Sequence, residues 1–367
     1  MMMRKRWMRV LAWTSLIGSF PVWGAAFFAA PFLPLTVAAR ALWAGGFIAA
    51  GEAMFWGAGA FLGAEVLARF RVPKVNTGRS FVGQRVVVVG ATGGLGEAVA
   101  RAAVREGAEV CLVGRNASKL EALGESLGAK TLSAELTNPE SIRHAAAQLG
   151  EVDFIVCATG IDVRKPFAAH TDEELAHELE VDLLGPIHLV RAMLGSVREG
   201  GRMALFGGFA DGRLALPYYS VDVAARAGLA SYCESVNREL ALTGKTQRLC
   251  YVCPAPADTQ AERAYKDLWQ QMGSKFVSPE QVADFVLANL LARKTVAVMG
   301  RATRALAALN ALSPTLADVL FLRRIGRLLQ ERFDPRPVVL ARPATRAEPG
   351  QAASRSPFCP RAPSQRP

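Results

Sequence analysis

The stretch VVVVGATGGLG, Val86–Gly96, decides the fold. Four consecutive β-branched residues suit a strand covered on both faces, and the run breaks directly into glycines at Gly90, Gly94 and Gly96. Glycines there let the backbone turn tightly and approach a pyrophosphate that a helix N-terminus then holds. The following AVARAAVREGA supplies that helix, so the unit reads as strand, phosphate-binding turn, helix, with a dinucleotide as the expected ligand. The alternative, an ordinary strand-to-helix turn, lacks this ordered context.

Outward from that unit, charge divides the 367 residues unevenly. Residues 1–79 carry nine Lys or Arg against two Glu, residues 335–367 carry six Arg against one Glu, and the remainder is close to neutral. The net charge of +11 therefore flanks apolar segments and decorates a tail, which argues against a nucleic-acid groove.

Two apolar stretches, 10–39 and 41–68, each exceed the roughly 20 residues that cross a bilayer. They predict a two-span transmembrane hairpin, and five of the six tryptophans (Trp7, Trp13, Trp23, Trp43, Trp56) fall within this region. A cleaved signal peptide is the rival reading of the first stretch. Arg4, Lys5, Arg6 and Arg9 precede the first span, Arg69, Arg71, Lys74 and Arg79 follow the second, and Arg40 lies between. That asymmetry places both ends on the cytoplasmic side of an inner membrane, as a multi-pass protein with its soluble part in the cytoplasm. Pro21, Pro31 and Pro34 predict a kinked or partly re-entrant first span. Glu52 stands near mid-membrane depth, either as a ligand-binding carboxylate or as a group bonded to the partner helix. Gly59 to Gly63 offers a small-residue face for helix contact.

From Phe81 to Arg301, apolar runs alternate with amphipathic stretches, the pattern of a doubly wound, Rossmann-like parallel α/β sheet. Strands are predicted near 85–89, 109–113, 130–134, 153–157, 202–206, 247–253 and 295–299. Helices are predicted at 95–106, 117–127, 138–148, 171–196, 217–243 and 279–293. Asn138-Pro139 and Ser278-Pro279 read as helix caps followed by first-turn prolines. The chain thus parses into a hairpin (1–79), a cofactor-binding domain (80–300), an amphipathic helical extension (301–334) and a disordered tail (335–367). The tail holds eight Pro and six Arg in 33 residues.

Residues 80–300 resemble the short-chain dehydrogenases and reductases. The spacing of Gly90, Gly94 and Gly96, with Thr92 and Leu95 inside the turn, fits that family's cofactor loop. The resemblance implies that Arg115, closing the second strand where an acid often reads a ribose hydroxyl, favours a 2′-phosphate and hence NADP(H). It further implies that Glu135 lies beside the adenine, that Ala158 and Gly160 close the fourth strand against the cofactor, and that Thr259 of PAPADT lies against the nicotinamide carboxamide. In the family, chemistry rests on a Tyr, a Lys four residues later, a preceding Ser and an Asn. The landmarks Pro217 and AGLASYCESVNREL place Asp222 and Arg226 at the Tyr and Lys positions, Gly207-Gly208 at the Ser and Asp182 at the Asn.

Asp222, a carboxylate beside a cation, makes a poor proton donor, and the pair reads more simply as an i,i+4 ion pair. A local shift would instead bring Tyr218 or Tyr219 to the nicotinamide, though neither has a Lys four residues on; otherwise both are packing aromatics. Cys250 and Cys253 fall on one predicted strand and read as buried thiols, His170 and His177 as sharing a helix face, and no metal site is expected. The leucine- and arginine-rich residues 301–332 resemble the C-terminal extension of membrane-associated family members and either pack on the core, cap the cleft or rest on a bilayer.

Two functions stay open. One is a membrane-anchored NADP(H)-dependent oxidoreductase acting on a carbonyl or alcohol, with a lipid-like small molecule as the expected partner because the anchor holds the cleft near the bilayer. The other is a catalytically silent NADP(H)-binding protein with a structural or sensing role at the membrane. Neither calls for nucleic acid, and both allow a homo-oligomer.

Overall fold

The computed structural model describes residues 2–69, 81–209 and 214–334. The flanking basic residues Arg71, Lys74 and Arg79, and the segment 335–367, lie outside it.

Seven parallel strands form one sheet: β1 (Arg85–Val89), β2 (Glu109–Gly114), β3 (Lys130–Ser133), β4 (Val152–Cys157), β5 (Val197–Phe206), β6 (Arg248–Cys253) and β7 (Val296–Val298). Their order is 3-2-1-4-5-6-7, so the winding reverses between β1 and β4. That reversal opens a crevice at the carboxyl ends of these two strands, where doubly wound sheets bind ligands. Val86 to Val89 are almost entirely inaccessible to solvent, as expected for a strand with helices on both sides.

The helices are α1 (Met2–Gly24), α2 (Val37–Arg69), α3 (Gly94–Arg105), α4 (Ala117–Leu127), α5 (Pro139–Ala147), α6 (Asp172–Leu179), α7 (Gly185–Met193), α8 (Ser220–Leu242), α9 (Lys266–Gln271), α10 (Pro279–Leu291), α11 (Arg301–Leu312), α12 (Pro314–Phe321) and α13 (Arg327–Phe333). Residues of α3, α4 and α10 build the core on one face of the sheet, and residues of α5, α7 and α8 build it on the other. A third apolar cluster joins the 214–219 segment, α9 and the extension α11–α13. The predicted caps are in place: the Asn138 side chain accepts from the amides of Glu140 and Ser141, and Ser278 forms a capping box with Gln281.

Two elements differ from expectation. Strand β5 begins at Val197, because Arg198-Glu-Gly-Gly201, which looks like a turn, instead continues the strand through a register shift opposite Val152 and Phe154. The single helix expected over 171–196 is two helices joined by a π-helical stretch, Glu180–Leu184, which buries both Val181 and Asp182.

At the N-terminus, α1 runs through Pro21 and continues as a π-helical stretch (Ala25–Ala29) and a 3-10 turn (Ala30–Phe32) before α2 begins. Among the described residues one helical stretch, Leu11–Ala29, is long and apolar enough to cross a membrane. Helix α1 packs on α2 through Trp23 and Phe55, whose rings are 5.4 Å apart. The close approach is made at Gly51, where a Cβ would overlap the Trp23 indole, rather than at Gly59, which has open space. Glu52 is exposed and accepts from Trp56 Nε1 at 2.6 Å, so its partner lies on its own helix.

Candidate active site

The glycine turn has the geometry its sequence requires. Gly90 has φ +78°, a conformation that favours glycine, and its amide donates to Val113 O at 2.9 Å, tying the turn to β2. Helix α3 starts at Gly94, and its first amides, those of Gly94, Leu95 and Gly96, have no carbonyl partner within the helix. A Cβ on Gly96 would overlap the Gly90 carbonyl oxygen, and one on Gly94 would stand 2.9 Å from Thr259 Cγ2. The structure therefore brings Thr259, from the segment after β6, against the glycine turn. Thr92 Oγ1 lies beside the end of β2, 3.8 Å from where a Gly114 Cβ would stand. Ala158 N donates to Val89 O at 2.9 Å, which continues the β1–β4 ladder into the crevice. Arg115 is 70% exposed at the end of β2, with Glu135 3.9 Å away, so both guard the same edge.

The four positions where the family resemblance expects Tyr, Lys, Ser and Asn converge on one buried charge cluster. Arg226 donates from Nε to Asp222 Oδ1 (3.0 Å) and from Nη1 to Phe206 O (3.0 Å), and its Nη2 lies 3.1 Å from Asp182 Oδ2. Its side chain is 8% exposed, so each guanidinium nitrogen is committed to the protein. Burial opposes the Arg226 charge, but Asp182 and Asp222 outweigh it and raise the pKa above the usual guanidinium value. The Asp182–Arg226 contact is an ion pair without hydrogen-bond alignment at Oδ2, while Asp182 Oδ1 accepts the Ile161 amide at 3.1 Å.

Glu178, which the sequence reading did not single out, completes the cluster. Its Oε1 accepts the Val163 amide at 3.3 Å, and its Oε2 is buried without a hydrogen-bond partner. Carboxylate oxygens of Glu178, Asp182 and Asp222 lie within 4.8 Å of one another. One guanidinium cannot balance three carboxylates in a buried space. Burial accordingly pushes Asp182 up to about 7 and Glu178 up to about 7, against the pull of Arg226 on the first and of the Val163 amide on the second. The available signal was the spacing of four between Glu178 and Asp182, which puts both carboxylates on one helix face.

Gly207 leaves no room for a hydroxyl side chain, and Gly208 leaves little. A Cβ on Gly207 would enter the Tyr251 ring, and one on Gly208 would stand 3.0 Å from Arg226 Cγ and 3.2 Å from Asp222 Oδ2. Gly160 likewise admits the Arg226 guanidinium, which a Cβ there would overlap.

Tyr219 lies outside this cluster, 3% exposed, among Trp269 and Phe333. Its hydroxyl has no hydrogen-bond partner, and burial raises its pKa despite the Arg164 guanidinium, whose Cζ is 5.2 Å from the ring centroid. Arg164 in turn pairs with Asp162 and Glu262. His170 precedes α6 in an extended conformation, so it shares no helix face with His177. Cys250 and Cys253 are buried on β6, as read from the sequence, and Cys157 is a buried thiol at the end of β4.

A parallel sheet with this order, a glycine turn feeding a helix N-terminus and a Thr laid against it define a dinucleotide-binding class of protein. The chain belongs to the short-chain dehydrogenase/reductase family of oxidoreductases: the family model described as enoyl-(acyl carrier protein) reductase matches residues 90–303. Dehydrogenase/reductase SDR family member 7B of Bos taurus is 27% identical over 281 residues, which cover 69% of this chain and 84% of the relative. The 3-oxoacyl-(acyl-carrier-protein) reductase FabG of Escherichia coli is 30% identical over 196 residues, covering 51% and 79%. A short chain dehydrogenase from Burkholderia cenocepacia solved in complex with NADP superimposes with a TM-score of 0.58 at 24% identity, over 66% of this chain and 99% of that one. Its fold is the fold found here.

Proposed function

We propose that the protein is a membrane-anchored, NADP(H)-dependent oxidoreductase that acts on a carbonyl or alcohol carried by a lipid-like small molecule. The observation that carries this reading is the turn itself: free amides at the start of α3, a glycine at every point of close approach, and Thr259 against Gly94. These fit a pyrophosphate and a nicotinamide, and the exposed Arg115 suits the 2′-phosphate that distinguishes NADP(H). A bound dihydronicotinamide would supply the hydride. The chain's own part is to orient the carbonyl and hold a proton near it. Tyr219 keeps its phenol proton at neutral pH, and Glu178 and Asp182 titrate near it. The apolar stretch Leu11–Ala29, flanked in sequence by Arg4 to Arg9, supports an anchor in the inner membrane with the soluble part in the cytoplasm; α2, packed on α1, would be the second limb of the hairpin.

A second reading, a catalytically silent NADP(H)-binding protein, is favoured by one specific feature. Arg226 is 8% exposed and engaged by Asp222, Asp182 and Phe206 O, so its guanidinium is tied into the protein where the family's Lys would hold a nicotinamide ribose. Purified full-length protein in detergent decides between them. The first reading expects NADPH oxidation with medium- or long-chain aldehydes or ketones, abolished in Tyr219→Phe. NADPH binding without turnover across that panel selects the second, and failure to bind NADPH sinks both.

A further inference from the structure

The extension α11–α13 has two apolar sides. Its inner side, including Ala307, Phe321, Ile325 and Leu329, is buried in the cluster that encloses Tyr219 and Trp269. Phe333 at its end stands 6.0 Å from Tyr219 and 5.8 Å from Tyr265, and Arg332 donates to Ala264 O at 3.1 Å, fixing α13 against this cluster. Of the alternatives read from the sequence, packing on the core is the contact observed. The outer side is uncovered: Leu312 is 86% exposed, Leu316 50%, Val319 46% and Leu322 54%. At roughly 100° per residue, Leu316, Val319 and Leu322 fall within an arc of about 120°. A helix apolar on both sides is at home when buried or at a membrane.

We propose that this outer face is an interfacial membrane-binding surface, seated on a bilayer that contains anionic lipid. Three observations choose that occupant. Arg301, Arg323 and Arg327 are exposed along the same extension, against the exposed acids Asp318 and Glu331, so its net charge suits anionic headgroups. The same chain carries the apolar stretch Leu11–Ala29, which would hold the domain at a bilayer and make a second, weak contact effective. The exposed leucines lie on the same helices whose other side packs in the cluster around Tyr219, so a lipid-seated extension would hold that cluster at the bilayer surface.

The proposal rests on the anchor reading, and the test separates the two. Full-length protein carrying Cys359→Ser, so that no tail thiol competes, receives a single environment-sensitive fluorophore at Leu316→Cys, at Ile17→Cys in the apolar stretch, or at Glu121→Cys on the exposed side of α4. Each variant is reconstituted into phosphatidylcholine/phosphatidylglycerol vesicles containing nitroxide-labelled lipid. A surface buried ~5–10 Å below the headgroups predicts an emission loss of roughly two-fold at position 316, with protection from aqueous iodide. Position 17 should be quenched as strongly and position 121 not at all. Quenching at 17 without quenching at 316 overturns the inference and leaves the anchor standing. No quenching at either overturns both. Loss of the 316 signal in Val319→Glu, with the melting temperature unchanged, would further support seating by this face, and an unaltered signal would count against it.

Discussion

Removing the Glu178 charge should free the fold from a pH-dependent burden. Glu178 is fully buried, faces Asp162, Asp182 and Asp222, and is held by one amide hydrogen bond from Val163. Its pKa is raised from 4.5 to about 7, chiefly by burial. A carboxyl whose pKa is higher in the folded state contributes its stability below the unfolded value and loses it as pH rises toward the folded value, so the loss falls between pH 4.5 and about 7. At about 1.36 kcal/mol per unit, and discounting for relaxation around the group, the loss is on the order of 1.5–3 kcal/mol. Glu178→Gln keeps the acceptor for Val163 and removes the titration. Its melting temperature relative to the parent should therefore rise between pH 5 and pH 8, by about 3–12 °C at 2–4 °C per kcal/mol. Full-length protein in detergent, followed by scanning fluorimetry at both pH values, gives the comparison. Parallel pH profiles for parent and variant would refute the charge count in the cluster.

Arg226→Met leaves three buried carboxylates without their cation and should lower stability by about 3–5 kcal/mol, seen as a fall in melting temperature that is partly recovered by adding Glu178→Gln. Gly94→Asp puts a carboxylate at the start of α3 and against Thr259, and should eliminate NADPH fluorescence enhancement with the fold intact by circular dichroism. Unchanged binding would show that the turn holds no phosphate. Gly96→Ala should lose binding and stability together, because its methyl group has only the Gly90 carbonyl to enter; a normally stable, NADPH-binding variant would contradict that geometry.

Much of the fold was legible because it is written locally. Val86–Val89, the glycine turn, and the caps at Asn138 and Ser278 each depend on residues within a few positions of one another, and each stands where the sequence places it. Strand β5 was partly missed because Glu199-Gly200-Gly201 carries turn chemistry, and only pairing with β4 holds it extended. The pair Asp222–Arg226 was legible for the same local reason, a spacing of four on one helix.

The sequence alone determined a glycine turn between a buried strand and a helix, an apolar N-terminus, and the replacement of every expected catalytic side chain. Only the tertiary structure decided what those replacements do. Asp182 reaches Arg226 because a π-helical stretch turns it inward, Gly160 makes space for the guanidinium and Gly208 for its aliphatic stem, and Glu178 brings a third carboxylate from the preceding helix. Burial, which no local pattern states, then gathers four scattered charged residues into one cluster in which Glu178 and Asp182 hold their protons to higher pH than free carboxyls do. The same holds for the extension: sequence supplied an amphipathic pattern, and packing over Tyr219 decided which apolar side was covered and which was left to meet another surface.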